Sequence, residues 1–421
     1  YRSLRLNNGM RIFLIQDVNT NIASACMNVD VGSLDDTPGI DGMAHYLEHM
    51  LFMGSDMFPG GTYFMTQVSN NGGTTNAFTA EDMTQYYFEC SENFMDLLKI
   101  FSRFFVSPLF DLKYVEKEVS AVDSEHKKNI GSDGWRVANL SKQFFINESR
   151  RRFWTGTKKS ILGACNNDPM ELRKKLIEFY DKFYSPDKMI LFICYKNIND
   201  ETINAIEKMF EQVKIKNTIK DHHGIKMIRE QPDVRETKDE YEVIQIFTSC
   251  VNHQMGIKWL ISGIATCEYR HNLRVDSYNV MNYILGHKSK GSLCSILIEA
   301  GLIIDMGAGV EQNYETKCLY SLYLDLTQKG FENWENILCI INHYIKNIHN
   351  LTSNSINIFE DFLEDIDSMN VVNLKTMTNC DGLQLSQYYI DIIKTKQVDI
   401  KYLPIVSVLA GPPKLRKKHF L

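Results

Sequence analysis

The sequence predicts an α+β protein of two homologous sandwich domains, each a mainly antiparallel sheet with helices packed on one face. Three observations carry this expectation. Apolar runs of period two alternate with runs at helical spacing. The order strand, strand, helix, helix, strand, strand, helix, helix occurs twice, a duplication of about 200 residues. The 421 residues are 44% hydrophobic and 23% charged, ordinary globular values that allow full cores without disulfide staples.

In chain order, Met10–Gln16 and Ile22–Val31 are apolar or alternating runs separated by turn formers, and predict two strands. Asp41–Gly54 has an Asp start, a Gly stop and apolar residues at helical spacing, the pattern of a buried helix. Thr62–Asn70 predicts a second helix, and Asn70-Asn-Gly-Gly73 a turn. Thr74–Thr79 and Met83–Cys90 predict strands, Phe94–Phe105 a helix, and Asp111–Phe145 a long helical stretch broken near Gly131. Helices at Pro169–Phe183 and Asp200–Val213, with the strand Met189–Tyr195 between them, complete the first domain. The charged stretch Lys214–Glu240 predicts a linker, so the domains are placed at 1–220 and 221–421. In the second, Glu242–Ser249 and Gly256–Ser262 are strands, Leu273–Leu285 and Ser292–Ala300 helices, and Leu302–Gly309 and Thr316–Thr327 strands. Helices from Trp334 and from Asn354 follow.

Composition narrows the function. With 46 Lys plus Arg against 52 Asp plus Glu, the net charge is −6, which argues against nucleic acid as a partner. No apolar run approaches the roughly 20 residues of a membrane helix. The best candidate, Ile405–Gly411, is short and bounded by Pro404 and Pro412. None of the ten Cys forms C-x-x-C, which excludes a zinc ribbon and a disulfide scaffold. Such thiols fit a reducing compartment, the cytoplasm, with an organelle as the alternative.

The chemistry lies in His45-Tyr-Leu-Glu48-His49. On a helix, His45 and His49 are i and i+4, so both imidazoles leave one face and can grip a single Zn²⁺. Glu48, on the same side but not between them, suits a general base. His and Glu do not belong in so apolar a helix unless they are paired or ligated. A catalytic zinc takes a third protein ligand. The stretch Lys117–His126 offers Glu118, Asp123 and Glu125; Glu118 and Glu125 are seven apart and share a face. Spacing leaves these choices open, together with a solvated acidic face.

Together these residues resemble the pitrilysin/insulysin family of inverted zinc metallopeptidases. Glu118–Asn129 (EVSAVDSEHKKN) is similar to the family's distal ligand segment, and the likeness extends over Gly39–Gly54, Thr75–Phe88, Leu109–Trp135 and Gly286–Gly309. The resemblance implies that Glu125, 76 residues after His49, is the third ligand, with Glu118 a supporting carboxylate beside the site. It implies that Thr75–Thr79 is an edge strand to which a substrate peptide adds, with Asn76 and Ala77 on its backbone and Phe78 lining the pocket after the scissile bond. Trp135 matches a residue near the active site, a core Trp being the alternative. Gly286, His287, Gly291, Met306 and Gly307 resemble the segments that anchor a substrate's N-terminus. The second domain has Tyr278–His287 where the first has its motif, and is expected not to bind zinc.

The function so implied is hydrolysis of short unfolded peptides by a zinc-dependent metalloendopeptidase. The alternatives are a non-catalytic peptide-binding or scaffold subunit of the same fold, or a half-enzyme inactive without its C-terminal half. Complete insulysin-like chains carry four such units closing as a clamshell. A chain of two that starts at Tyr1 is therefore expected to be an N-terminal half, with the other half as its partner.

Overall fold

A computed structural model describes residues 1–216 apart from 144, 146–147 and 153, then 253–262, 277–313, 317–354, 382–396 and a few isolated positions between them. The chain forms two compact units, one built on Tyr1–Lys226 with Cys380–Lys394, the other on Met227–Asn379.

The first unit holds a six-stranded sheet: β1 (Arg2–Arg5), β2 (Arg11–Gln16), β3 (Ala23–Val29), β4 (Thr74–Thr79), β5 (Thr84–Cys90) and β6 (Met189–Tyr195). Their order is β1-β2-β6-β3-β5-β4. Only β2 and β6 pair in parallel; the other neighbours are antiparallel. The helices are α1 (Met43–Leu51), α2 (Tyr63–Asn70), α3 (Phe94–Val106), α4 (Leu112–Ile130), α5 (Asp133–Lys142), α6 (Glu148–Arg151), α7 (Lys158–Ile161), α8 (Pro169–Phe183) and α9 (Asp200–Phe210).

Alternation decides which side chains meet the helices. Ile12 and Leu14 of β2 and Leu191 and Ile193 of β6 join the main core with Leu47, Met50, Phe101, Val119 and Leu176. Phe13 and Phe192 point to the opposite face and are also buried. There the helix Gly382–Lys396 supplies Tyr389, whose ring meets Phe13 edge-on at 5.5 Å. Cover on both faces explains why Met189–Tyr195 is apolar without alternation. The sequence did not announce that helix as a separate element, nor β1, whose polar RSLR is mostly exposed at the sheet edge.

The second unit repeats part of this plan. Strands β7 (His253–Ser262), β8 (Ile303–Asn313) and β9 (Lys317–Leu326) form an antiparallel sheet of order β7-β9-β8. The helices Ser277–Gly286 and Leu293–Glu299 stand between β7 and β8, as α1 and α2 stand between β3 and β4. The order β3-β5-β4 is thus reproduced, with β8 at the edge in the place of β4. Strand β8 runs on to Asn313, beyond the expected end at Gly309. Leu293, Leu297, Leu322, Leu324, Ile337 and Ile341 form the core. Of the expected strand Glu242–Ser249 only Val243, Ile244 and Ile246 are described, and none of them is in a strand. Most of the linker Lys214–Glu240 lies outside the described residues, and of the helix expected beyond Asn354 only isolated helical positions are described. Among the described residues, no helix is long and apolar enough to cross a membrane.

Candidate metal centre

Helix α1 (MAHYLEHML) has no Gly, Pro or β-branched residue to oppose it. Its N-cap, Gly42, carries no side chain, and Asp36 does the capping from outside the helix. The Asp36 carboxylate accepts from the backbone N–H of Gly42 (2.7 Å) and of Ala44 (2.8 Å). Burial pushes Asp36 up to about 7, against the pull of those two bonds. Tyr46, Leu47, Met50 and Leu51 fill the core, which leaves His45, Glu48 and His49 on the remaining face.

Helix α4 starts at Asp111, whose side chain accepts from the Lys113 N–H. Val115, Val119 and Val122 seat it on the core, and Glu118 is buried among them. Glu125 Oε2 lies 3.5 Å from His45 Nε2 and 3.7 Å from His49 Nε2. One atom from each of these three residues falls within 4.8 Å of the others. Ligands held at about 2.0–2.2 Å in a tetrahedron are roughly 3.3–3.6 Å apart, so the donor set fits zinc.

The far sides of both rings are occupied. His45 Nδ1 donates to the Thr155 carbonyl at 2.7 Å, which fixes the tautomer that leaves Nε2 free to ligate. His49 Nδ1 donates to Glu118 Oε2 at 3.3 Å. The three candidate carboxylates therefore divide. Glu125 faces the two Nε2 atoms, and Glu118 stands behind one ring. Asp123 instead accepts from the Lys158 N–H at the start of α7 and pairs with Lys127.

Thr155 reaches His45 because two glycines cross beside it. Gly42 (φ +93°) and Gly156 (φ +75°) are both left-handed, and a Cβ on Gly42 would lie 2.3 Å from the Gly156 Cα. Trp135 on α5 stacks on Trp154 at 4.7 Å, next to Thr155, so it braces this loop and is only half-buried. Glu81, in the β4–β5 turn, pairs with Lys142 and with the buried Arg150.

Glu48 is buried beside the donor set, and its Oε2 accepts from Thr79 Oγ1 at 2.6 Å. Thr79 ends β4, the sheet edge that carries Asn76, Ala77 and Phe78. Asn76 and Phe78 are exposed there and Ala77 is half-buried.

Within the cluster the imidazoles and carboxylates shift one another's protonation. Burial opposes protonation of His49, but Glu118 and Glu125 outweigh it and push the ring up to about 9. His45 is raised too, burial again being outweighed, here by Glu125 and Glu48. The bonds from His45 and His49 hold Glu125 far below the usual carboxylate range. Burial raises Glu48, against His45, Thr79 and His49. A metal held by these residues would compete with protons for the two imidazoles.

In the second unit, Gly286 ends its helix beside Ala308 of β8. Met306 is buried, Gly307 is exposed on the edge strand, and His287 Nδ1 meets Ser289 Oγ at 2.7 Å. Gly291 (φ +86°) turns the chain into Leu293–Glu299. Gly286 thus lies beside the strand that carries Met306 and Gly307, with His287 following it and Gly291 in the turn before Leu293–Glu299. The sequence reading missed Asp36, Thr79 and Thr155. The glycine in Thr155-Gly-Thr was the one local signal for the last.

Residues 11–147 match the family described as insulinase (peptidase family M16), and residues 172–356 match the peptidase M16 inactive domain. Insulin-degrading enzyme-like 2 of Arabidopsis thaliana is 31% identical over 355 residues, 82% of this chain and 35% of the relative. The insulin-degrading enzyme of Homo sapiens is 30% identical over 351 residues, 83% of this chain and 33% of the relative. The chain therefore spans about a third of the length of these curated relatives. Crystalline pitrilysin superposes with a TM-score of 0.78 at 21% identity, covering 99% of this chain and 43% of that one. A protease from Helicobacter pylori superposes with a TM-score of 0.70 at 16% identity, covering 100% and 94%.

Proposed function

We propose, from the premise that this chain belongs to the insulinase family of peptidases (family M16), that its first unit is a zinc metalloendopeptidase site for short unfolded peptides. One observation carries the reading. Two imidazole Nε2 atoms and one carboxylate oxygen converge, while a second buried carboxylate stands beside them outside the donor set.

His45, His49 and Glu125 would hold the zinc. When bound, zinc supplies a Lewis acid that polarises the scissile carbonyl and makes water nucleophilic near neutral pH. The Thr155 carbonyl and Glu118 hold the two rings in place. Glu48 takes a proton from the attacking water and returns it to the leaving amide nitrogen. The peptide adds to β4, pairing with the backbone at Asn76 and Ala77, and Phe78 meets the residue after the scissile bond. Trp135, through Trp154, borders the site. In the second unit, Gly286, His287, Gly291, Met306 and Gly307 receive the substrate's N-terminus.

The length of the relatives favours a second reading, that the domain pair turns over slowly until further sequence of the same kind closes over it. Adding the remaining part of a relative as a separate chain then raises the rate. The buried free thiols Cys26, Cys90, Cys165, Cys194 and Cys294 support a reducing compartment.

The test is Glu48→Gln. It should keep one zinc per chain by elemental analysis and lose peptide cleavage by roughly 10²–10⁴-fold. Unchanged turnover defeats the base assignment. A chain that takes up no zinc defeats the metallopeptidase reading in favour of a scaffold.

A further inference from the structure

We infer that Thr79 is the positioning residue of the proposed hydrolysis: its hydroxyl fixes the Glu48 carboxylate and ties it to the edge strand β4. The inference rests on the zinc-peptidase reading above.

Thr79 Oγ1 and Glu48 Oε2 are 2.6 Å apart, and both residues are only 7% exposed. A bond of that length to a carboxylate is charge-assisted and short. The hydroxyl proton has no better use. Its other neighbour, Thr84 Oγ1, is 3.4 Å away, and Thr84 spends its own proton on the Val31 carbonyl at 2.8 Å. Glu48 leaves the middle of α1, where the helix offers no N–H to hold its carboxylate. Fixing Oε2 leaves Oε1 as the oxygen for proton transfer, at a set angle to the donor face.

The hydroxyl is itself held by a stiff frame. Thr79 pairs with Thr84 across the β4–β5 hairpin, and Ala80 N–H closes the turn on the Met83 carbonyl. Ser33 N–H and Leu34 N–H pin the Ala80 and Glu81 carbonyls. Gly32 lets the backbones meet, since a Cβ there would come within 2.5 Å of the Ala80 oxygen. Thr79 follows Phe78 directly, so one residue joins the strand that would carry the peptide, through its backbone, to the base, through its hydroxyl.

The test compares Thr79→Val, which keeps shape and loses the hydroxyl, with Thr79→Ser, which keeps the hydroxyl. Both are made in this chain, with Glu48→Gln as reference. Thr79→Val should retain zinc stoichiometry and melting temperature and keep KM within about twofold, while kcat falls roughly 10–100-fold. Thr79→Ser should restore most of kcat. Independently of activity, the infrared difference between parent and Glu48→Gln isolates the Glu48 carboxyl band. Thr79→Val should shift that band and Thr79→Ser should not. A Thr79→Val chain with parental kcat, an unmoved band, or a kcat loss that serine does not repair overturns the inference. If the parent cleaves no peptide even with the remaining part of a relative added, the peptidase reading fails, and the infrared band still decides whether Thr79 holds Glu48.

Discussion

The two units place a helix over an edge strand in the same way, α1 beside β4 and Ser277–Gly286 beside β8, yet among the described residues only the first gathers a donor set. The helix Ser277–Gly286 contains no His, Asp or Glu. Its end is followed by a Lys288–Asp305 ion pair, and a second polar cluster joins Glu311 to Lys258, Ser321 and Tyr323 across the sheet. The scaffold therefore supplies an address, not a chemistry. The chemistry comes from side chains on α1 and α4 and from a loop carbonyl held by a crossing of two glycines.

The largest effect that tests this contrast is on the metal. His49→Ala removes one of three donors and should abolish stoichiometric zinc after dialysis against a weak chelator, measured by elemental analysis. Asn282→Ala, in the matching helix of the second unit, should leave zinc unchanged. If both variants keep zinc, the donor set is misassigned.

Next comes the support behind the ring. Glu118→Gln keeps every donor and should weaken zinc affinity by roughly 10–100-fold in a chelator competition. Equal affinity would reduce Glu118 to a buried carboxylate with no part in holding His49.

Smaller again is the effect of the loop. Gly156→Ala meets a left-handed φ and a Cβ contact of 2.7 Å to Ile161. It should destabilise the first unit by about 1–3 kcal/mol in denaturant titration and weaken zinc binding with it. Gly307→Ala, with nothing within 4 Å of the added carbon, should cost less than about 0.5 kcal/mol and leave zinc alone.

The smallest effect is electrostatic. Asp56 pairs with Arg103, and despite the opposing cost of burial the guanidinium holds its carboxyl below the usual value of 3.8. A lowered folded value means that the folded state binds this proton less tightly than the unfolded chain. The stability it adds is present above about pH 4 and is lost as pH falls through the lower folded value. The Asp56 carboxylate is partly exposed, so Asp56→Asn should cost no more than about 1 kcal/mol at pH 7. The difference from the parent should vanish in acid melts below the folded value. A gap that persists there would assign the effect to packing.

Much of this protein was legible in its sequence because much of it is local. The i, i+4 spacing of His45 and His49, the valine stripe of α4 and the alternation of β4 each follow from one element's own period. The duplicated order of elements followed from the same patterns. The helix Gly382–Lys396 was not legible, because its role is to cover a strand face more than 180 residues away, and its own sequence does not name that partner.

By itself, then, the sequence determined which helix could grip a metal and which could not. Spacing left Glu118, Asp123 and Glu125 open and only the resemblance pointed to Glu125; the tertiary structure brings Glu125 to the two imidazoles, because the three carboxylates differ in where α4 lies against α1. It also decided that a carbonyl 110 residues from His45 and a threonine 31 residues from Glu48 hold those groups in place. Such contacts arise from packing between elements distant in the chain, and no local periodicity encodes them.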